Sequence, residues 1–287
     1  MGWQTSRFLI DLSKPKVMGI VNVTPDSFSD GGRYPSTAAA LAHCERLISE
    51  GADILDLGGE SSRPGSLPVS LEEELARVLP LVREAVKLGV PLSVDTYKPQ
   101  VMRAALDLGA DIINDIWALR QPGADDSVDA MQVIASHPNC GVCLMHMHGE
   151  PRTMQLAPMA GDVVAQVQQF FERQVQVLGR LGVAADRMVI DPGIGFGKTV
   201  AQNFALLSRQ RDLLELGCPV LVGWSRKSSL AAVCGTSLES VAALDGAQRL
   251  VPSVVAAVLA VERGASIVRV HDVAQTVQAL QVLAAIR

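Results

Sequence analysis

The chain has no excess of positive charge. Its 287 residues carry 25 basic against 30 acidic side chains, a net charge of −5. It therefore lacks the basic footprint that binding to a phosphate backbone needs, and no nucleic-acid partner is expected. It also lacks an apolar run of the roughly 18 residues that would cross a bilayer. Its start, MetGlyTrpGlnThrSerArg, lacks the charged-then-apolar layout of a secretory signal. The expectation is a soluble cytoplasmic protein with no membrane partner. Cysteine is scarce, with five residues at 44, 140, 143, 218 and 234. An odd, scattered set in a chain this long excludes a disulfide framework, so all five are expected to be reduced and buried. Cys140 and Cys143 have CxxC spacing, but no second pair completes a zinc site, and they read as strand core. No low-complexity segment or long linker divides the chain.

What is present is enough for a full core, with 48% apolar and 19% charged residues. Eight short runs rich in Val and Ile recur, at 17–23, 54–58, 92–96, 112–116, 141–147, 188–192, 219–225 and 267–271. Longer segments with helical periodicity lie between them, such as 38–50 and 71–86. GlyAla recurs before three of the runs, at Gly51, Gly109 and Gly264, where glycine can take the left-handed conformation that ends a helix. Eight strand-helix units predict one closed (β/α)8 TIM barrel over 16–287, preceded by a lead segment, 1–15. An open dinucleotide-binding sheet loses its support because no GxGxxG follows the first run.

In such barrels chemistry collects at the carboxyl ends of the strands. Nearly every run here ends in a polar residue. In chain order they are Asn22, Glu60 with Ser61, Ser62 and Arg63, Asp95, Asn114 with Asp115, His146 and His148, Asp191, Ser225 with Arg226 and Lys227, and Arg269 with His271. Capping and loop satisfaction explain many single Asp, Asn and Ser residues at such joints. They do not explain the Lys and Arg residues. Asp95, Asn114 and Asp191 would aim carboxylates and an amide into one cavity, which suits an amino-pyrimidinone edge. The two carboxylates could instead form an acid-base pair, a reading that the nearby Asn and the cationic rim disfavour. Arg63, Lys227, Arg269 and His271 form an opposite, cationic set suited to phosphate oxygens. Asn22 adds one neutral oxygen, which is enough for Mg2+ where substrate phosphates complete the shell. AsnValThrProAspSerPheSerAspGlyGly (22–32) and GlyGlyGluSerSerArgProGly (58–65) read as lid loops. AspProGlyIleGlyPheGlyLys (191–198) lacks the spacing of a P-loop, and its glycines are expected to let backbone approach a flat ring.

These two loops resemble dihydropteroate synthases, as do SerValAspThr (93–96), IleAsnAspIle (113–116), LeuMetHisMet (144–147), the 191–198 segment, GlyTrpSerArgLys (223–227) and ArgValHisAspVal (269–273). The resemblance covers roughly 16–280, in the family's order. It implies a transferase that joins (7,8-dihydropterin-6-yl)methyl diphosphate to 4-aminobenzoate. It assigns Asp95, Asn114, Asp191 and Lys227 to the pterin, with Met145 and Phe196 packed near. Ser62, Arg269 and His271 would meet the diphosphate, and Asn22 would ligate Mg2+. Phe28, Ser62, Arg63, Pro64 and Ser228 would close on 4-aminobenzoate, with Asp30 assisting. The mechanism implied is dissociative, diphosphate leaving before the amine attacks, with the 4-aminobenzoate carboxylate near the start of the helix at Ser228.

The chain departs from the family's pattern in places. Ser62 stands where Thr is common and His148 where Gln is. His146 and His148 then form a HisXaaHis pair, read as locally hydrogen-bonded rather than metal-binding. Trp117 and Trp224 are expected to put large rings near the mouth. The rival functions are a methyltetrahydrofolate methyltransferase-type barrel and a non-catalytic pterin-binding barrel. A homodimer is expected, with the apolar segments 256–261 and 277–283 as its seam.

Overall fold

The computed structural model describes residues 1–23, 36–61, 66–121, 129–150, 153–154, 156–234 and 249–286. The lead segment folds into a hairpin of β1 (Gly2–Gln4) and β2 (Leu9–Asp11). Each apolar run then contributes one parallel strand: β3 (Lys16–Asn22), β4 (Ile54–Gly58), β5 (Leu92–Asp95), β6 (Ile112–Asp115), β7 (Gly141–Met145), β8 (Met188–Asp191), β9 (Leu221–Val222) and β10 (Ile267–Val270). They are ordered β8-β7-β6-β5-β4-β3-β10-β9. The two ends meet at a parallel bridge, Ile190 to Val220, where Ile190 N donates to Pro219 O at 3.0 Å. The barrel is closed. β9 is much shorter than its apolar run, so the seam beside it rests on that bridge.

The helices that cover it are α1 (Thr37–Ser49), α2 (Leu71–Ala85), α3 (Pro99–Asp107), α4 (Ala130–Ser136), α5 (Val163–Arg180), α6 (Val200–Ser208), α7 (Ser228–Val233), α8 (Leu250–Glu262) and α9 (Val273–Ala284). Ser36, Ser70, Asp129, Asp162 and Thr199 cap five of their N-termini by accepting backbone N–H groups that no helical carbonyl reaches. The three expected glycine stops all have positive φ, 100° at Gly51, 98° at Gly109 and 93° at Gly264. No helix of the described residues is long and apolar enough to cross a membrane.

Strand alternation divides the apolar residues into two cores. Val17, Val21, Leu55, Leu57, Val94, Ile113, Leu144 and Ile190 face the helices. Met18, Ile54, Ile112, Cys143, Val189, Leu221 and Ile267 face inward and meet Trp3, Ile10 and Leu12 of the hairpin region. The hairpin therefore plugs the amino-terminal end of the barrel. Trp3 is fully buried, its indole donates to Arg187 O at 2.9 Å, and a Cβ at Gly141 would lie 3.0 Å from that nitrogen. The CxxC pair divides between these cores, Cys140 outside and Cys143 inside, so the two cannot share a ligand. Four cysteines are free and buried; Cys234 is free and exposed, contrary to expectation.

Candidate functional site

The carboxyl end of the barrel opens into a cavity of about 520 Å³. Register brings its polar residues together: Asn22 pairs with Gly58, Gly58 with Asp95, and Asp95 with Asn114. Ten residues given a substrate or metal role from the sequence line this one space: Asn22, Asp95, Asn114, Met145, Asp191, Phe196, Lys227, Ser228, Arg269 and His271, and the strand-end residues Glu60, Ser61, Ser225 and Arg226 join them. Phe28, Asp30, Ser62, Arg63 and Pro64 lie outside the described residues.

The expected division into acidic and cationic halves does not hold. Arg269, on β10, sits one inward position before His271, and its register partner on β3 is Met18. There it donates to Asp56 Oδ2 at 2.5 Å and to Asp95 Oδ2 at 2.6 Å. Asp56 is fully buried and also accepts from Asn114 Nδ2 at 3.1 Å. This buried residue was missed because it stands inside an apolar run. The available signal was a carboxylate at an inward-facing position of a barrel strand. Burial pushes the Asp95 carboxyl up to about 7, against the pull of Arg269 and with the help of Asp56. Burial works to lower the Arg269 guanidinium, but Asp56 and Asp95 overcome it and its pKa rises.

Asp191 is also raised by burial, although Gly193 N–H, which donates to it at 2.8 Å, and Lys227 oppose the shift. Lys227 Nζ lies 4.2 Å from the centre of the Phe196 ring. His271 Nδ1 shares a hydrogen with Ser225 Oγ at 2.9 Å, and the same hydroxyl accepts from His271 N at 3.2 Å. The imidazole is thus held in one orientation. Asn22 makes no side-chain hydrogen bond within the described residues. α7 starts at Ser228 and is only six residues long.

Other expected members have structural work. Asp115 accepts from Trp117 N and Leu119 N at 2.8 and 2.7 Å, holding a turn in which Ala118 and Leu119 have positive φ. Arg226 is bound to Asp272 at 2.7 Å and itself has φ of 60°. β7 ends at Met145, so alternation does not carry His146 and His148 to one face: the first is buried and the second exposed. His146 stacks edge-on with Phe170 at 4.9 Å and its Nδ1 has no hydrogen-bond partner, against the expectation of a locally bonded residue. Burial, helped by the charge of Lys198, holds its pKa down to about 2. Among the described residues no group of three His, Cys, Asp or Glu could hold a metal ion.

The glycines of 191–198 also differ from expectation. A Cβ on Gly193 would lie 1.9 Å from His146 O, and one on Gly197 2.2 Å from His148 O. These two let the loop press on the backbone after β7, while the third, Gly195, lines the cavity. Lys198 fixes that contact, its buried Nζ donating to His146 O, Gly193 O and Phe196 O at 3.2, 3.0 and 3.1 Å. Trp224 faces outward, packed on Phe204 in the outer core, and so is not a mouth residue. Trp117 does lie at the mouth, on the wall of an adjoining cavity.

Three comparisons bear on this geometry. The Pterin binding enzyme family model matches residues 18–271. The chain is 48% identical to a dihydropteroate synthase of Neisseria meningitidis serogroup B, over 98% of this chain and 95% of that one. Among solved structures, a Burkholderia cenocepacia dihydropteroate synthase complexed with 7,8-dihydropteroate superposes with a TM-score of 0.86 at 49% identity, covering 100% of this chain and 96% of the other. A Xanthomonas albilineans dihydropteroate synthase with 4-aminobenzoic acid gives 0.88 at 47% identity, covering 100% and 98%.

Proposed function

The chain belongs to the dihydropteroate synthase family, and from that premise we propose how its cavity carries the reaction. The enzyme condenses (7,8-dihydropterin-6-yl)methyl diphosphate with 4-aminobenzoate, giving dihydropteroate and diphosphate. One observation carries the assignment of roles: carboxylates and an amide from β5, β6 and β8 share a single cavity with Lys227, Arg269 and His271.

Asp95, Asn114 and Asp191 take the donor and acceptor edge of the pterin, since a buried carboxylate can accept two parallel N–H bonds. Met145 and Phe196, both nearly buried, offer apolar surface to its faces. Lys227, over the Phe196 ring, holds the remaining ring acceptors. Arg269 has used only part of its five-donor fork on Asp56 and Asp95, and its other N–H groups meet the diphosphate with His271. Ser225 keeps that imidazole aimed. Phe28, Ser62, Arg63, Pro64 and Ser228 receive 4-aminobenzoate, with Asp30 assisting, as the family resemblance implies.

The protein offers no metal cage of its own among the described residues, only the Asn22 carboxamide oxygen at the end of β3. That donor set fits Mg2+ that arrives with the substrate's diphosphate oxygens. When bound there, the ion would neutralise charge on the leaving diphosphate. Departure of diphosphate leaves a methylene cation that the electron-rich pterin stabilises, and the 4-aminobenzoate amine then attacks without a strong base. Positioned cations, not acid-base residues, therefore supply most of the rate.

The proposed setting is cytoplasmic and the proposed assembly a homodimer. The expected seam segment 256–261 has no exposed residue; support for a dimer comes instead from exposed apolar residues beside it and on the last helix, Val251 and Val255 on α8 and Val282 on α9. Diphosphate release coupled to the presence of both substrates tests the function. Turnover must require dihydropterin diphosphate and 4-aminobenzoate together, and silence with both present refutes it.

A further inference from the structure

A second cavity, of about 160 Å³, adjoins the first and has no part in the reaction above. Glu74, Tyr97, Trp117, Gln121 and Glu150 wall it, and it shares Asp95, Glu60, Ser61 and Ile116 with its larger neighbour. Its chemistry is one-sided. Four carboxylates, Glu60, Glu74, Asp95 and Glu150, reach its wall, and no Lys or Arg does among the described residues. Among the described residues, the cations that meet these carboxylates are already divided. Lys98 Nζ donates to both Glu60 Oε2 and Glu74 Oε2, and Arg269 serves Asp56 and Asp95. Each single positive charge faces two negative ones.

Glu60 is fully engaged, its second oxygen accepting from Tyr97 Oη at 2.9 Å. Glu74 is not. It is 1% exposed, yet its Oε1 accepts no hydrogen bond. Gln121 Oε1 is a second buried acceptor without a donor on the same wall. Native interiors rarely leave two such acceptors unpaired. Tyr97 and Trp117 add two aromatic rings to the wall, and ring faces attract cations. Lys98 already lies 4.6 Å from the centre of the Tyr97 ring.

We propose that this side cavity binds a small, flat organic cation with N–H donors, a guanidinium or amidinium, held by Glu74 and Gln121 against Trp117. A hard metal ion does not fit, because no metal-binding group of three His, Cys, Asp or Glu exists among the described residues. A planar cation supplies several fixed donors and a face that stacks. Because Asp95 lines both cavities, a cation in the smaller one favours the ionised Asp95 that the larger one uses. The two sites are therefore positively linked, and by reciprocity each ligand tightens the other. The binding claim does not depend on which substrate the larger cavity takes.

Benzamidine is the probe, with benzyl alcohol as its uncharged control, titrated calorimetrically into the full chain. Saturable binding of benzamidine alone is expected, weakened about tenfold or more by Glu74→Gln and by Trp117→Leu, the scale of one charge-assisted contact. Asp191→Asn should leave it within about twofold, since Asp191 lines only the large cavity. A pterin added first should tighten it. If Glu74→Gln fails to fold by circular dichroism, the half-buried Trp117 variant decides. No saturable binding, binding indifferent to Trp117→Leu, or binding abolished by Asp191→Asn overturns the proposal, the last because benzamidine would then be mimicking the pterin edge.

Discussion

The floor of the barrel and its mouth are built by the same strands, a few residues apart, and their inward side chains have opposite chemistry. At the floor, Met18, Ile54, Ile112, Val189, Leu221 and Ile267 interlock with Trp3. Further along, the inward positions become Asp56, Asn114 and Arg269, and at the rim Asn22, Asp95, Asp191 and His271. Folding free energy is gained where the interior is dry and well packed, and the mouth is given over to groups that are costly to bury. Arg269 with Asp56 and Asp95 is the transition between the two regions. It is a buried ionic cluster that helps shape the site and would be a liability if one partner were removed.

The largest expected effect breaks the floor without touching the mouth. Trp3→Ala removes a fully buried ring and its bond to Arg187 O, and should cost about 3–5 kcal/mol of unfolding free energy in denaturant titration. kcat, measured where the variant is still folded, should stay at the wild-type value. A selective loss of kcat would show that floor and mouth are not separable. At the mouth, Arg269→Ala or Asp95→Ala should lower kcat/KM by about 2–4 kcal/mol of transition-state stabilisation, roughly thirty-fold to a thousand-fold. The double variant should lose less than the sum, because the two side chains are 2.6 Å apart and share a network. Additive losses would mean that each meets the substrate independently.

The floor and the mouth also differed in how far the sequence disclosed them. Eight Val- and Ile-rich runs with glycine stops were enough to predict a closed barrel, because period and punctuation are local properties. The polar strand ends could be placed at one rim for the same reason, and they line a single cavity there. What escaped depends on contacts between strands far apart in sequence. Asp56 and Arg269 are 213 residues apart, so neither advertises the other, and Arg269 read as a free phosphate ligand. Asp115 and Arg226 have the residue types of a site but satisfy a turn and an ion pair. Gly193 and Gly197 were assigned to ligand approach because a glycine shows that something comes close without showing what. Trp224 went to the mouth in the reading and to the outer core in the structure, because a shift of one residue in a strand reverses the face.

Between the two regions lies the 191–198 loop, and Lys198 tests how the mouth is supported. Its ammonium satisfies three carbonyls in a buried setting, and burial pulls its pKa down to about 7, with Asp191 opposing. Lys198→Met should cost about 1–3 kcal/mol in unfolding free energy, the scale of buried acceptors left unpaired. It should raise KM for the pterin substrate more than it lowers kcat, since Phe196 and Gly195 ride on that loop. Unchanged KM with lost stability would place Lys198 with the floor.

The smallest expected effect is a pH dependence, and it sets the two regions against each other. Burial raises Asp95 to about 7, so the folded protein holds this proton more tightly than the unfolded chain does. The group therefore favours folding at low pH, and that contribution is lost as pH rises from about 4 towards about 7. The proposed pterin recognition runs the other way, because only an ionised Asp95 carboxylate could accept the N–H pair. Affinity for a pterin, followed by calorimetry, should fall by up to about tenfold for each pH unit below about 7 and level off above it. Asp95→Asn should flatten that slope, leaving the smaller part that Asp191, also raised by burial, contributes. A wild-type affinity that does not change across this range would mean that Arg269 keeps Asp95 ionised throughout. The ionic cluster would then belong to the floor's stability and not to the mouth's recognition.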